Sequence, residues 1–215
     1  MFNKVNRVIK YFIISDLFLF MGWGLISPIF SIFVIEEIVG ATLVTVGVVS
    51  AFYWLVRSLV QFPIAVALDK MKGEKDDFYV LVLSLLMIGG LSFAMTLVET
   101  PFQLYFIQAL YGGAFGAYSI AWPSIFSRHM DKGRVAIDWS LDKGLIGLII
   151  AGTSLLGAEV ANTIGFDAVF ILTGAVSILS ALALFAVPKL IIPKSSTSDL
   201  EAIIQRIQGK HKLRG

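Results

Sequence analysis

The sequence predicts an all-α, polytopic membrane protein with six transmembrane helices and both termini in the cytoplasm. Three observations support this prediction: an apolar composition, six long apolar stretches, and basic residues confined to one side of them. Of the 215 residues, 57% are hydrophobic and 15% are charged, whereas about 25% of a typical soluble domain is charged. The mean hydropathy is +0.85. A soluble domain of this length has too small a core to bury so much apolar surface.

Six apolar stretches approach or exceed the length of about 20 residues that a helix needs to cross a bilayer. The first exceeds the h-region of a signal peptide, about 7–15 residues long, so we expect it to be retained. Strands of a membrane barrel would instead alternate apolar and polar residues over about ten positions. The predicted spans form one bundle over residues 1–190 and run over residues 11–34, 43–68, 78–98, 102–126, 145–161 and 168–187.

The orientation follows from the Lys and Arg residues, which favour the cytoplasmic side. Fifteen of the 17 basic residues lie before the first span, in the loops after the second and fourth spans, or after the sixth span. The charged residues of the opposite loops are all acidic, namely Glu36, Glu37, Glu99 and Asp167. This asymmetry predicts a multi-pass protein of the cell membrane, with the inner or plasma membrane as its location.

A basic, amphipathic tail is predicted over residues 191–215. Leu200, Ile203, Ile204 and Ile207 recur there at helical spacing, which favours a helix on the cytoplasmic membrane surface. A frayed, solvated tail is the alternative.

Two charged residues fall inside predicted spans, where charge is costly and faces the bundle interior or a watery cavity. Asp16 lies roughly 9 Å and Arg57 roughly 16 Å from the cytoplasmic surface, at 1.5 Å per helical residue. An ion pair between them is therefore within reach. One interpretation is that the pair pins two helices together. The other is that one or both residues line a path for a substrate or a coupling proton or ion.

Polar and aromatic residues recur on one face of the first, second and fourth spans. They predict a shared cavity, and the candidates are Asp16, Trp23, Tyr53, Trp54, Arg57, Gln61, Gln108, Tyr111 and Tyr118. We expect Trp122, near a helix end, to be an interfacial anchor instead. The sixth span carries Thr173, Ser177 and Ser180, whose hydroxyls can bond their own helix backbone.

Asp138 and Asp142 lie four residues apart before the predicted fifth span. With Arg134 and Lys143 they form either a salt-bridge cluster or a solvated helix start, where acidic residues are favourable.

The sequence predicts no enzyme, metal or cofactor. It has no cysteine and two histidines, and no cluster with metal-ligand spacing. It also lacks a Gly-x-Ser-x-Gly elbow and a phosphate-binding loop. The predicted partners are the lipid bilayer and a small-molecule substrate, with no nucleic acid.

Three local patterns resemble the major facilitator superfamily. Gly22 followed by Pro28 resembles its Gly-x5-Pro motif. Residues 65–73, Ala-Val-Ala-Leu-Asp-Lys-Met-Lys-Gly, resemble its loop signature, although Ala65 replaces the first glycine. Residues 108–116, Gln-Ala-Leu-Tyr-Gly-Gly-Ala-Phe-Gly, resemble its fourth-span motif, with Gln108 where the family often has a buried arginine.

This resemblance implies the six-helix N-terminal half of a secondary active transporter that works by alternating access. Two such halves with equal orientation build the usual twelve-helix protein, so a chain of this size could act as a homodimer. The resemblance also implies a cytoplasmic gate between subunits, in which Asp69 and Lys70 would touch the partner near Asp138 or Asp142. The gate residues are Asp69, Lys70, Gly73, Asp138 and Asp142. The alternatives are a truncated half of a longer transporter and a non-transporting scaffold subunit.

Overall fold

The computed structural model describes residues 7–70, 74–130 and 133–185. These ranges contain helices α1 to α7, and a short 3-10 turn at Met95–Leu97 follows α4. The helices are α1 Arg7–Ile26, α2 Phe30–Glu37, α3 Leu43–Lys70, α4 Lys75–Ala94, α5 Pro101–His129, α6 Val135–Thr163 and α7 Phe166–Phe185. The tail predicted over residues 191–215 lies outside the described residues.

The all-helical membrane architecture is confirmed. Among the described residues, five helices are long and apolar enough to cross a membrane: α1, α3, α4 with its 3-10 turn, α6 and α7. Helix α5 has 29 residues and is therefore about 43 Å long, but its Tyr, Gly and Gln residues lower its hydropathy. The count of six spans and the orientation in the bilayer stay predictions.

The first predicted span, residues 11–34, is wrong as a single helix. Helix α1 ends at Ile26 and the short α2 begins at Phe30. The cause is Pro28, which has no backbone N–H to donate and whose ring clashes with the preceding helical turn. Helix α2 is held by Phe33, whose ring centroid lies 4.7 Å from that of Phe170 in α7.

Helix α6 extends beyond the predicted fifth span, residues 145–161. It begins ten residues before that span, at Val135, so the helix includes Asp138, Asp142 and Lys143. The prediction ended the span at these charges because a charged residue facing lipid is costly. The aspartates are instead buried against other helices.

Helix α3 packs against α5, α1 packs against α6 and α7, and α4 packs against α5 and α7. Two contacts fix the opposite ends of this bundle. At one end, Arg128 Nη1 of α5 lies 2.5 Å from Asp77 Oδ2 of α4. At the other, the Val39 amide donates a 3.0 Å hydrogen bond to the Glu99 carbonyl. A capping box between Thr100 and Gln103 starts α5.

Hydroxyl groups tie α7 to α1, contrary to the expectation that they satisfy only their own helix. Ser180 Oγ donates to the Ser15 carbonyl at 2.7 Å, and Ser15 Oγ bonds back to the Ser180 carbonyl at 3.1 Å. Thr173 Oγ1 donates to the Gly22 carbonyl at 3.2 Å. Only Ser177 follows the expectation, because its hydroxyl donates to the Thr173 carbonyl.

Candidate functional site

A cavity of about 230 Å³ lies between the described helices. Every described helix except α6 contributes to its wall. Five of the nine predicted cavity residues line it, namely Trp23, Tyr53, Trp54, Gln108 and Tyr111. The full lining is Leu19, Trp23, Ile26, Ser27, Phe30, Val49, Ser50, Tyr53, Trp54, Ile88, Met95, Gln108, Tyr111, Phe115, Phe170, Thr173 and Ser177.

Aromatic rings from α1, α3 and α5 form the cavity wall. Trp23 stacks on Tyr53 with ring centroids 6.3 Å apart and meets Phe115 edge-on at 5.4 Å. Tyr111 stacks on Phe115 at 6.1 Å. Such ring pairs are rigid and favour flat, apolar or aromatic ligands.

Most polar groups at the cavity are already used within the protein. The Tyr111 hydroxyl forms a hydrogen bond with Ser92 Oγ of α4, and Thr173 and Ser177 donate to backbone carbonyls. Among the described residues, the Gln108 amide makes no hydrogen bond to another part of the chain. Gln108 can therefore both donate to and accept from a ligand, and the hydroxyls of Ser27 and Ser50 also line the cavity. The lining contains no charged side chain.

Arg57 lies behind the aromatic wall, one helical turn from Tyr53 on α3. Its Nη1 donates a 3.0 Å hydrogen bond to the Tyr53 hydroxyl. Its guanidinium carbon lies 4.9 Å from the ring centroid of Trp54 and 5.8 Å from that of Phe115. Arg57 Nε is buried without a hydrogen-bond partner in the described chain. No carboxylate of the described residues forms an ion pair with Arg57, and the aromatic faces attract its positive charge.

Asp16 does not pair with Arg57, although their depths would allow it. Asp16 accepts a hydrogen bond from the Tyr118 hydroxyl of α5, and its Oδ2 lies 3.8 Å from Lys143 Nζ of α6. Lys143 also contacts Asp142 Oδ2 at 2.8 Å. The two charged residues predicted inside spans therefore belong to separate networks, one on α3 and one between α1 and α6.

A family model described as Major Facilitator Superfamily matches residues 12–210. This match covers most of the chain. The chain belongs to the Major Facilitator Superfamily. It is therefore an integral, multi-pass membrane protein of a transporter family, and the resemblance seen in its motifs is confirmed.

Curated relatives match only over part of their own length. The chain is 29% identical over 174 residues to "Multidrug resistance protein MdtG" of Dickeya zeae, which covers 78% of this chain and 41% of the relative. It is 26% identical over 192 residues to the protein of the same name from Salmonella schwarzengrund, covering 83% of this chain and 44% of the relative. The chain thus spans less than half the length of these relatives.

The superfamily loop signature falls at the end of α3. Asp69 and Lys70 are exposed there, and Gly73 lies outside the described residues. Asp138 and Asp142, in contrast, are both 0% exposed within the chain. The gate contact with a partner subunit that the resemblance implies stays a prediction.

The remaining predicted residues have roles inside the superfamily unit. Gln61 Nε2 donates to Ser119 Oγ at 2.8 Å and joins α3 to α5. Trp122, expected as an interfacial anchor, is instead buried and stacks on Phe126 at 4.4 Å. It also lies 5.0 Å from Lys143 Nζ. Sequence reasoning missed this packing because it began the following span at residue 145, ten residues after the start of α6, and placed Lys143 at the edge of that span.

Proposed function

We propose that the chain is a six-helix unit of a secondary active transporter that moves a small aromatic, amphipathic solute by alternating access, and is not an enzyme. The observation that carries this proposal is the aromatic cavity of about 230 Å³, with Gln108 among its polar lining groups. Ligand sites are typically apolar and concave with a few placed polar groups. The name of the relatives, multidrug resistance protein, agrees with a solute of this kind.

The charge near the cavity favours an anionic solute over a cation. Arg57 contributes an unneutralised positive charge behind Tyr53 and Trp54, and the cavity lining supplies no carboxylate. In a medium of low dielectric constant, such a charge acts over several ångströms. We therefore infer that an aromatic ring bearing a negative group is preferred over the same ring bearing a positive group.

Alternating access requires a second six-helix unit, and we propose that a second copy of this chain supplies it. Helices α3 and α6 are the least buried of the candidate membrane spans. Gly144, Gly147 and Gly152 of α6 have no atom within 4 Å of an added Cβ, so their room for close helix contact is unused within one chain. The alternative is that a separate C-terminal half covers the same faces, which the length of the relatives favours.

Transport can be tested with two probes that share a ring and differ in charge. Lipid vesicles that contain the purified chain should take up naphthalene-2-sulfonate faster than vesicles without protein. They should also take up naphthalene-2-sulfonate faster than a naphthyl-trimethylammonium ion. Gln108→Leu and Trp23→Ala should slow sulfonate uptake several-fold. Leu172→Ala is the matched control, because Leu172 is exposed on the outer face of α7. Equal uptake by wild type, both cavity variants and empty vesicles would refute the proposal.

A further inference from the structure

One hydroxyl of α4 contacts the aromatic wall of the cavity from behind. Ser92 Oγ forms a hydrogen bond with the Tyr111 hydroxyl of α5. Ser92 is 0% exposed and is not among the cavity-lining residues, whereas Tyr111 is. The Tyr111 hydroxyl is therefore bound on the side of α4, and the part of Tyr111 that the cavity presents to a solute is its ring.

The direction of this hydrogen bond follows from the second bond of Ser92. Ser92 Oγ donates to the Ile88 carbonyl of its own helix at 2.9 Å. A serine hydroxyl has one proton to donate, but it can accept at the same time. Because that proton is used by the Ile88 carbonyl, the Tyr111 hydroxyl is the donor and Ser92 Oγ is the acceptor.

The Tyr111 ring supports the central ring of the wall. It stacks on Phe115, with ring centroids 6.1 Å apart and an interplanar angle of 15°. Phe115 in turn meets Trp23 at 5.4 Å and Tyr53 at 6.1 Å, both edge-on. The attraction between aromatic rings depends on their relative orientation. A change in the tilt of Tyr111 therefore changes the surface that these four rings present to a solute.

We propose that Ser92 is a positioning residue of the solute site. By accepting the hydrogen bond of Tyr111 it fixes the orientation of that ring and, through Phe115, the orientation of the aromatic wall. Its role in solute binding rests on the function proposed above, whereas its hold on the Tyr111 ring does not. A solute then meets Tyr111 through the ring face, and its polar group is bound elsewhere in the lining, as by Gln108.

The two ends of this hydrogen bond predict different effects when they are removed. Ser92→Ala leaves the buried Tyr111 hydroxyl without its acceptor, which is costly, so the ring turns toward another polar group. Tyr111→Phe leaves no unpaired group, because Ser92 keeps its bond to the Ile88 carbonyl. The double variant has no unpaired hydroxyl either. Adding Tyr111→Phe to Ser92→Ala should therefore restore binding, which a role of Ser92 in helix packing alone does not predict.

The first measurement is the dissociation constant of the purified chain for naphthalene-2-sulfonate in lipid nanodiscs. Ser92→Ala should weaken binding several-fold, and the double variant should return to the value of Tyr111→Phe, which lies close to that of wild type. Ser84→Ala is the matched control and should bind as wild type does. Ser84 is a serine of the same helix, 2% exposed, whose hydroxyl donates to the Leu81 carbonyl of α4 at 2.7 Å.

The second measurement needs no solute. In a chain labelled with ¹³C in its tyrosine rings, the NMR signal of Tyr111 is identified by its loss in Tyr111→Phe. This signal should shift or broaden in Ser92→Ala and stay unchanged in Ser84→Ala. If wild type binds no sulfonate, the proposed function fails, and the NMR signal still decides whether Ser92 holds the ring.

Three outcomes would overturn the proposal. The first is a Tyr111 signal that Ser92→Ala leaves unchanged. The second is a dissociation constant of Ser92→Ala equal to that of wild type. The third is a double variant that binds as weakly as Ser92→Ala alone. If Ser92→Ala does not fold, recovery of folding in the double variant supports the proposal, and continued failure contradicts it.

Discussion

Asp77 and Asp16 are both buried, but they differ in how many carboxylates share their cation. Asp77 Oδ2 lies 2.5 Å from Arg128 Nη1 and accepts a 3.2 Å hydrogen bond from Ser124 Oγ. This pairing is one to one, so the charge of Asp77 is neutralised without a proton. Asp16 shares Lys143 with Asp142. We therefore interpret Asp77 as a structural tie between α4 and α5.

The tie predicts a stability effect for Arg128→Met. The substitution leaves a carboxylate that is 1% exposed without its cation. Removing one partner of a buried pair costs about 3–5 kcal/mol, and because the Arg128 side chain is 41% exposed we expect about 2 kcal/mol. Thermal unfolding in detergent should show the loss. Arg128→Met combined with Asp77→Asn should recover part of it, and Lys75→Met, at an exposed position, should change little. A stability loss in the double variant equal to or larger than that in Arg128→Met would contradict this interpretation.

At this scale, the sequence predicts which residues are buried better than it predicts their partners. The depth of Asp16 and Arg57 follows from counting residues along a helix, and both lie inside the bundle. Their partners depend on how α1 and α3 are rotated and on where α6 begins. Lys143 was assigned to a span edge, so its contact with Asp16 was not foreseen. The cavity residues Trp23, Tyr53 and Tyr111 were found because their helical spacing places them on one face.

Helices α3 and α5 approach closely because α5 has glycine where the two backbones meet. An added Cβ at Gly116 would lie 2.8 Å from the Arg57 carbonyl oxygen and 3.3 Å from Val60 Cβ. At Gly113, on a neighbouring face of the same helix, the nearest atom is 4.0 Å away. The fourth-span motif is thus explained at this position by helix packing.

We expect Gly116→Val to destabilise the chain and Gly113→Val to have little effect. Overpacking a tight contact costs about 1–3 kcal/mol, and both variants change the intrinsic helix propensity of α5 in the same way. The difference in midpoint of thermal unfolding therefore isolates the contact between α3 and α5. Because Arg57 and Tyr53 lie at this contact, Gly116→Val should also slow naphthalene-2-sulfonate uptake. Equal melting of the two variants would show that the approach is looser than described.

The elements were predictable from the sequence where length and hydropathy alone decide them. The bounds of α3, α5 and α7 follow closely from the apolar stretches. The structure departs from the predicted spans at two places. Pro28 divides the first apolar stretch into two helices, and burial of Asp138 and Asp142 against other helices lets α6 include charged residues. The sequence pattern alone does not show whether a charged residue is buried against a neighbouring helix.

Among the described helices that could cross a membrane, α3 and α6 are the least buried: 17% of their most apolar segments is buried, against 44% to 50% in the others. Leu55, Leu59 and Phe62 lie along one face of α3 and are 58%, 62% and 75% exposed. On α6, Leu148 and Leu155 are 73% and 76% exposed, and small residues lie between them. Lipid could cover such faces, but the glycines of α6 would then leave shallow grooves without a packing partner. The second six-helix unit that we propose would cover both faces at once.

A homodimer predicts a native mass of twice 23.5 kDa in a lipid nanodisc. A homodimer also predicts cross-links between introduced cysteines. The sequence contains no cysteine, so these cross-links can be measured without background. Leu59 of α3 and Leu148 of α6 lie at similar depths, about 17 and 20 Å from the ends of their helices at Lys70 and Val135. In a two-fold dimer, α3 of one copy meets α6 of the other, so Leu59→Cys with Leu148→Cys should yield a covalent dimer on oxidation. Leu83→Cys, on the outer face of α4, should not. A monomer mass without cross-links would favour a separate C-terminal half as the missing partner, and transport by this chain alone would then be abandoned.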